Sequence, residues 1–204
     1  MNLSYKNVVR PTQTHTDTIV SLESKYTQDI EISPKQLNDV DGLITNKPNI
    51  ILSTRYADCT PLFFFDPVKK VIASVHSGWK GTVKKIGLKT INKMIKEYGS
   101  KPENIIVCIG PTIRGCHFEV SDDVRKMFEN AFGIDEKMIK SSVDEGKYYI
   151  NSVYANTKTF HEAGIKKENI IDSGICTVCS KDKFFSFRGN NKESGRMVAL
   201  ICLI

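Results

Sequence analysis

The chain has 204 residues, of which 40% are hydrophobic and 25% are charged, as in an ordinary globular domain. This composition excludes a membrane-spanning protein, because no apolar run reaches the roughly 18 residues that cross a bilayer. The net charge is +6, but the lysines are scattered, which favours a solvated surface over a nucleic-acid interface and still allows a basic pocket for a small phosphate.

Three successive strands are predicted after the first quarter of the chain. Residues 49–57, 59–67 and 70–77 are rich in Val, Ile and Phe, and turn or polar residues separate them. Asp66 and Pro67 are typical turn residues. The second and third strands are therefore expected to form a hairpin.

A helix is predicted next, because the apolar period becomes helical after Gly81. Gly99 ends this helix, and residues 103–111 return to a strand pattern. Lysines lie opposite the apolar stripe, which consists of Val83, Ile86, Leu88, Ile91, Met94, Ile95 and Tyr98.

Two further helices follow. Ser121 is a candidate N-cap for a helix over residues 122–132, which has two aspartates in its first turn. Another helix is predicted over residues 152–163, ending at Gly164.

Two closing strands, residues 184–189 and 196–204, are predicted on either side of a polar loop. Neither an internal repeat nor a linker separates the predicted elements. The sequence therefore predicts one mixed α/β domain over residues 1–204. The first residues lack the apolar segment of a signal peptide, so we expect a cytoplasmic protein.

Cys59 and His76 are the first candidate functional residues. The expected hairpin brings them roughly opposite each other, on strands about 4.8 Å apart. A thiol beside an imidazole is either an activated nucleophile or half of a site for zinc, with copper as the other metal to consider. An inert cysteine beside a hydrogen-bonded core histidine is the alternative without chemistry.

His15 is a candidate third ligand, in an extended Thr- and Gln-rich segment, although a surface histidine would fit the same pattern. Together, two imidazoles and one thiolate would leave the fourth zinc position open, as in catalytic zinc sites. If so, we expect the three ligand atoms within about 4 Å of each other.

The other cysteines are assigned to packing. A chain without a signal peptide keeps its thiols reduced, and Cys108 and Cys202 lie in strand-like runs that suggest core positions. Cys176 and Cys179 form a single C-x-x-C pair that could join Cys116 and His117 in a second zinc site. Because structural zinc usually takes two such pairs, we favour unlinked thiols in or near strands.

Phosphate and base contacts are expected from a few further side chains. Arg188, at the end of a predicted strand, is the best phosphate candidate because arginine presents a rigid fork to phosphate oxygens; Arg55, Lys80 and Arg196 are the other nearby cations. Trp79 follows His76 by three residues and either stacks on a base or packs in the core.

In its motifs, the chain resembles the YfiH family, a laccase-like polyphenol oxidase family that is also described as purine nucleoside phosphorylase with adenosine deaminase activity. The matching segments keep the family order over about residues 11–204: TQTHT, DGLIT, YADCTPLFFFDP, VIASVHSGWKG, IGPTIRGCHFEV and FFSFRGNNKESGRM. The resemblance implies zinc held by His15, Cys59 and His76, which would also be the catalytic residues. It implies a four-layer α/β/β/α sandwich with mixed sheets.

The chain departs from the family pattern at two places. Family members usually carry an additional segment ahead of the first metal histidine, so this domain is expected to be short at its N-terminus and to lack site residues supplied from there. The paired arginines of the family become Arg188 and Gly189, which leaves one guanidinium.

The activity implied by the resemblance is phosphorolysis of adenosine, inosine, guanosine or methylthioadenosine with inorganic phosphate, with adenosine deamination as a second reaction. Two alternatives remain: a metal-free cysteine hydrolase that uses Cys59 and His76, and a module that binds nucleoside or metal without turnover. Four histidines are too few for the copper clusters of a multicopper oxidase.

Overall fold

A hairpin lies at the centre of the fold, as the sequence predicts. The computed structural model describes residues 7–22 and 37–204. In chain order its strands are β1 (Val8–Val9), β2 (Ile19–Ser21), β3 (Gly42–Thr45), β4 (Ile51–Tyr56), β5 (Thr60–Asp66), β6 (Val71–Ser77), β7 (Ile106–Ile109), β8 (Glu119–Ser121), β9 (Ile139–Ser141), β10 (Lys147–Ile150), β11 (Ile170–Asp172) and β12 (Met197–Cys202).

The hairpin of β5 and β6 forms the middle of a six-stranded sheet in the order β11-β7-β5-β6-β3-β2. Its inner pairs are antiparallel, whereas β2 with β3 and β7 with β11 are parallel. The sheet is therefore mixed. Every residue of β6 is buried, as expected for a strand covered on both faces.

Helices cover one face of this sheet and a second sheet covers the other. The helices are α1 (Trp79–Val83), α2 (Ile86–Tyr98), α3 (Asp122–Phe132) and α4 (Ser152–Glu162). Strand β6 contacts α1 and α2 on one side and the mixed sheet β1-β4-β12 on the other. A third, antiparallel sheet, β8-β10-β9, packs against α3. The predicted mixed α/β domain with mixed sheets is confirmed.

The predicted helix over residues 81–98 is two helices. The chain turns between them at Lys85, which adopts a left-handed conformation with φ of 57°. The break has neither Gly nor Pro, the residues that usually signal a turn in a sequence. The sequence therefore contains no sign that the helix is interrupted. Ile95, predicted to lie on the buried stripe, is 36% exposed near the end of α2, and Gly99 ends that helix as predicted.

Two local predictions need correction. Residues 184–189 form turns and irregular structure instead of a strand, which leaves Phe185 and Phe187 exposed. Ser121 occupies the N-cap position of α3, but its hydroxyl donates to Asp123 and does not cap the helix.

Within the described ranges, the helices are all too short or too polar to cross a membrane.

Candidate metal centre

Three segments that are distant in sequence bring His15, Cys59 and His76 together. His15 lies between β1 and β2, Cys59 immediately precedes β5, and His76 lies within β6. One ligand atom of each lies within 4.8 Å of the others, and Cys59 Sγ is 3.6 Å from His15 Nε2. We call these three residues the first cluster.

The hairpin register explains the approach of Cys59 to His76. Pro61 pairs with His76, and Thr60 pairs with Ser77. Cys59 therefore lies diagonally from His76 on the same face, two positions beyond the directly opposite residue, where side chains are still within reach.

Gly78 provides the space for the first cluster. A Cβ at this position would lie 2.6 Å from His15 Cδ2 and 3.3 Å from Cys59 Sγ, which is closer than carbon atoms pack. Gly78 thus leaves room for the close approach of two candidate ligands, His15 and Cys59.

Asp41 holds two of the candidate ligands in place. Its Oδ1 is 2.6 Å from His76 Nδ1, in a buried pair. The same carboxylate accepts backbone N–H bonds from Thr14, His15 and Thr16. These bonds support the left-handed conformation of His15, whose φ is 65°. Asp41 therefore leaves His76 Nε2 to face the cluster, the arrangement of a histidine oriented by a carboxylate in metal sites.

Sequence reasoning missed Asp41. The residue directly precedes β3, and β3 pairs with β6 so that Gly42 lies opposite Val75. An acidic residue ahead of a buried strand is a weak signal by itself, and only the strand pairing places this one beside His76.

Electrostatics favour a charged thiolate and imidazolium in the first cluster. Burial alone would raise the pKa of the Cys59 thiol, but hydrogen bonds and charge from His15 and His76 lower that pKa to about 6. Burial would lower the pKa of His76, but its bonds to Asp41 and Cys59 raise that pKa to about 9. Cys59 is therefore a thiolate at neutral pH, which suits it both as a metal ligand and as a nucleophile.

Asp58 ties Cys59 to the opposite side of the site. Its carboxylate accepts from the Thr177 hydroxyl at 2.6 Å and from the Arg188 backbone N–H at 2.6 Å. Its own φ of 82° is unusual for a residue other than glycine. The segment that carries Cys59 is thus fixed by two distant loops.

The first cluster opens onto a cleft of about 1260 Å³. Arg55, Arg188 and Trp79, predicted as substrate contacts, all line it, whereas Lys80 is not among the described lining residues. The lining residues from the described ranges include four cations, Arg55, Arg188, Lys192 and Arg196, and one carboxylate, that of Asp58. The aromatic lining residues in these ranges are Trp79, Phe118 and Phe187.

The cleft thus suits a ligand that combines an anion with a planar ring. Arginine and lysine side chains attract phosphate oxygens, and the carboxylate of Asp58 is already hydrogen-bonded to protein donors. Arg188 uses Nη1 to donate to the Glu119 carbonyl at 3.0 Å, and the side chain is exposed. Arg196 lies over the Phe187 ring, with Cζ 5.9 Å from the ring centroid.

The donor set of the first cluster fits a tetrahedral divalent metal with one open position. For zinc distances of about 2.3 Å to sulfur and about 2.0 Å to nitrogen, a tetrahedron places the two atoms about 3.5 Å apart. The separation of Cys59 Sγ and His15 Nε2 is 3.6 Å. Three protein ligands facing a cleft are typical of catalytic metal sites, because the fourth position stays available.

A second cluster lies apart from the cleft, and the sequence raises it as an alternative that is not favoured. It consists of Cys116, His117, Cys176 and Cys179, whose ligand atoms all lie within 4.8 Å of one another. The favoured prediction is unlinked thiols in or near strands. The three cysteines are free, and Cys176 forms a β-bridge with Thr112, but all three thiols lie around His117. By contrast, Cys108 in β7 and Cys202 in β12 lie in strands as predicted, although both are only half-buried.

The fold and the first cluster define a mixed α/β protein with a candidate three-ligand metal centre open to a cleft. The chain belongs to the multi-copper polyphenol oxidoreductase laccase family, which it matches over residues 1–204. The resemblance to YfiH proteins is confirmed by the solved structure of hypothetical protein YfiH from Bacillus licheniformis. That structure is 32% identical, with a TM-score of 0.89, and the match covers 98% of this chain and 75% of that one.

Relatives with named activities are also similar to this chain. Purine nucleoside phosphorylase YlmD of Bacillus subtilis is 34% identical over 165 residues, which is 81% of this chain and 59% of the relative. A protein named adenosine deaminase RL5, from an unknown prokaryotic organism, is 30% identical over 96% of this chain and 75% of its own length. The chain thus spans about three fifths to three quarters of the length of these two relatives.

Proposed function

We propose that the protein is a zinc-dependent purine nucleoside phosphorylase. In this reaction a phosphate oxygen forms a bond to C1′ of adenosine, inosine, guanosine or methylthioadenosine. The bond from C1′ to N9 breaks, and the base leaves with the electron pair and a proton. Adenosine deamination, in which water adds at C6 and ammonia leaves, is proposed as a second activity of the same site. The names of the relatives support both reactions.

The observation that carries the proposal is the opening of the first cluster onto a cationic cleft. His15, Cys59 and His76 would hold the zinc, and zinc bound there would supply a Lewis acid with one open position. Asp41 fixes the ring of His76 and the segment of His15. The low pKa of Cys59 keeps it a thiolate, the form that binds zinc.

The cleft side chains would bind the two halves of the substrate pair. Arg188 is the proposed main phosphate contact, with Arg55 as a further cation on the lining. Trp79 is half-buried and lines the cleft, so its ring is available to stack on a purine. Holding phosphate beside C1′ lowers the entropic part of the barrier.

A metal-free cysteine hydrolase is the second candidate, favoured by the pKa of about 6 for Cys59 beside His76. Multicopper oxidation, named in the family description, is not proposed. The sequence has four histidines, and one of them, His161, bonds the Ile165 carbonyl at the end of α4. A cytoplasmic location belongs to the main proposal, because ligand thiolates must stay reduced.

The test combines metal analysis with a nucleoside assay on the purified chain. We expect bound zinc and release of adenine or hypoxanthine with ribose 1-phosphate that requires added phosphate. A zinc-free protein with full, phosphate-independent hydrolytic activity would favour the cysteine hydrolase. A zinc-loaded protein that binds nucleosides without turnover would favour the binding module.

A further inference from the structure

The second cluster is assembled from two turns that are distant in sequence. Cys116 and His117 follow Gly115 in a turn closed by a bond from the His117 N–H to the Arg114 carbonyl. Cys176 and Cys179 lie in a turn closed by a bond from the Ser180 N–H to the Cys176 carbonyl at 3.0 Å. A C-x-x-C turn of this kind is one half of many structural zinc sites.

The separations match the edges of a metal tetrahedron. With zinc distances of about 2.3 Å to sulfur and about 2.0 Å to nitrogen, the edges are about 3.8 Å between two sulfurs and about 3.5 Å between nitrogen and sulfur. The Sγ atoms of Cys116 and Cys179 are 3.8 Å apart. His117 Nδ1 lies 3.2, 3.7 and 3.5 Å from the three sulfurs, of Cys116, Cys176 and Cys179 in that order.

We propose that Cys116, His117, Cys176 and Cys179 form a structural zinc site, separate from the first cluster. Three cysteines and one histidine are a closed ligand set, with no position left for substrate. Within the described part of the chain, the cleft lining does not include these four residues. The inference does not depend on the proposed reaction.

The backbone around the second cluster is already fixed, which lowers the cost of binding a metal. Thr112 bridges to Cys176, and the Thr177 N–H donates to the Thr112 carbonyl. Arg114 and Asp172 form a two-bond ion pair between the same two segments. Two loops after the parallel strands β7 and β11 are thereby held in register.

The position of the second cluster gives the zinc a structural task. Thr177 lies inside the C-x-x-C turn and donates its hydroxyl to Asp58, the residue before Cys59. A metal that fixes this turn therefore also fixes Asp58, which in turn holds the segment of Cys59 and the backbone of Arg188.

The experiment counts zinc per chain in purified protein and in matched serine variants. Wild type is expected to hold two zinc ions, Cys179→Ser one and Cys59→Ser one, whereas Cys202→Ser, which removes a thiol outside both clusters, keeps two. Cys179→Ser should also lower the unfolding midpoint by more than about 5 °C, the scale of a lost structural contact in a domain of this size.

A second measurement guards against variants that fail to fold. Cobalt is exchanged into folded Cys59→Ser protein, in which the first cluster no longer has a thiolate, so a thiolate-to-cobalt band reports binding at the second cluster. A strong thiolate-to-cobalt charge-transfer band with tetrahedral ligand-field bands is expected. One zinc in wild type and none in Cys59→Ser, or a Cys116–Cys179 disulfide in protein purified under reducing conditions, would overturn the proposal. Because the readout is metal content, failure of the nucleoside assay would leave this result unaffected.

Discussion

The first and second clusters are built from the same two side-chain types but differ in number, exposure and neighbours. The first has three ligands and opens onto a cleft lined by four cations of the described ranges. The second has four ligands, and its nearby cation, Arg114, is paired with Asp172. The second cluster therefore differs from the first by one more protein ligand and by the pairing of its nearby cation with Asp172. These two differences suit the first cluster to reaction and the second to a structural role.

The largest expected effect is on Cys59→Ser, which tests whether the open cluster works through a metal. Serine is hardly ionised at neutral pH and is a poor zinc ligand. We expect loss of the cluster's zinc and loss of nucleoside cleavage together, with partial recovery of both in added zinc. Metal content and the phosphate-dependent assay are measured on the same sample.

The alternative mechanism gives a different result with this variant. If Cys59 is a nucleophile, activity disappears without a change in metal content, and thiol alkylation inactivates wild type even after chelation. Cleavage retained by a zinc-free Cys59→Ser protein would contradict both mechanisms and would leave this cysteine a packing residue.

Asp41→Asn tests whether the open cluster depends on its buried carboxylate. The substitution removes the charge that orients His76 and accepts the N–H bonds of the His15 segment. We expect zinc affinity to fall by about 10- to 100-fold, as for other partners of metal-bound histidines. Competition with a coloured chelator measures this affinity.

Asp39→Asn is the matched control for Asp41→Asn. Asp39 lies on the same turn, is exposed and accepts from the Thr14 hydroxyl, and asparagine tolerates its φ of 56°. Equal loss of affinity in both variants would mean that the loop, and not the bond to His76, determines binding.

Arg188→Ala and Arg114→Ala together test the difference between the cations of the two clusters. Loss of a charged phosphate contact of about 1.5 kcal/mol should raise the KM for phosphate roughly tenfold. Arg114→Ala should leave that KM unchanged and lower stability, because its guanidinium is bonded to Asp172. Initial rates at varied phosphate, together with thermal unfolding, separate the two outcomes. An unchanged phosphate KM in Arg188→Ala would remove this residue from the proposed phosphate site.

Local pattern was sufficient to predict the hairpin, whereas it offered the second cluster only as an alternative that was not favoured. The apolar runs on either side of Asp66 predict β5 and β6, and their register brings Cys59 near His76. The second cluster joins Cys116 to Cys179 across 63 positions, through the parallel pairing of β7 with β11. A single sequence contains no local signal for such a pairing, because parallel strands are joined by long connections.

The smallest effect is expected from Gly78→Ala, which changes the shape of the open cluster without touching a ligand. Gly78 has φ of −69° and ψ of 170°, a conformation that alanine adopts without strain, so stability should change by less than about 1 kcal/mol. The added Cβ would lie 2.6 Å from His15 Cδ2, and His15 is exposed and can move away. Zinc affinity should therefore fall severalfold while the unfolding midpoint of metal-free protein stays the same. Gly115→Ala is the counterpart beside the second cluster, where the nearest atom, Asn151 Cβ, is 3.4 Å away and in ordinary contact; this variant should keep both metals at wild-type affinity. A loss of stability in metal-free Gly78→Ala equal to its loss in zinc binding would contradict the view that this glycine serves the cluster, since a packing defect would then account for both.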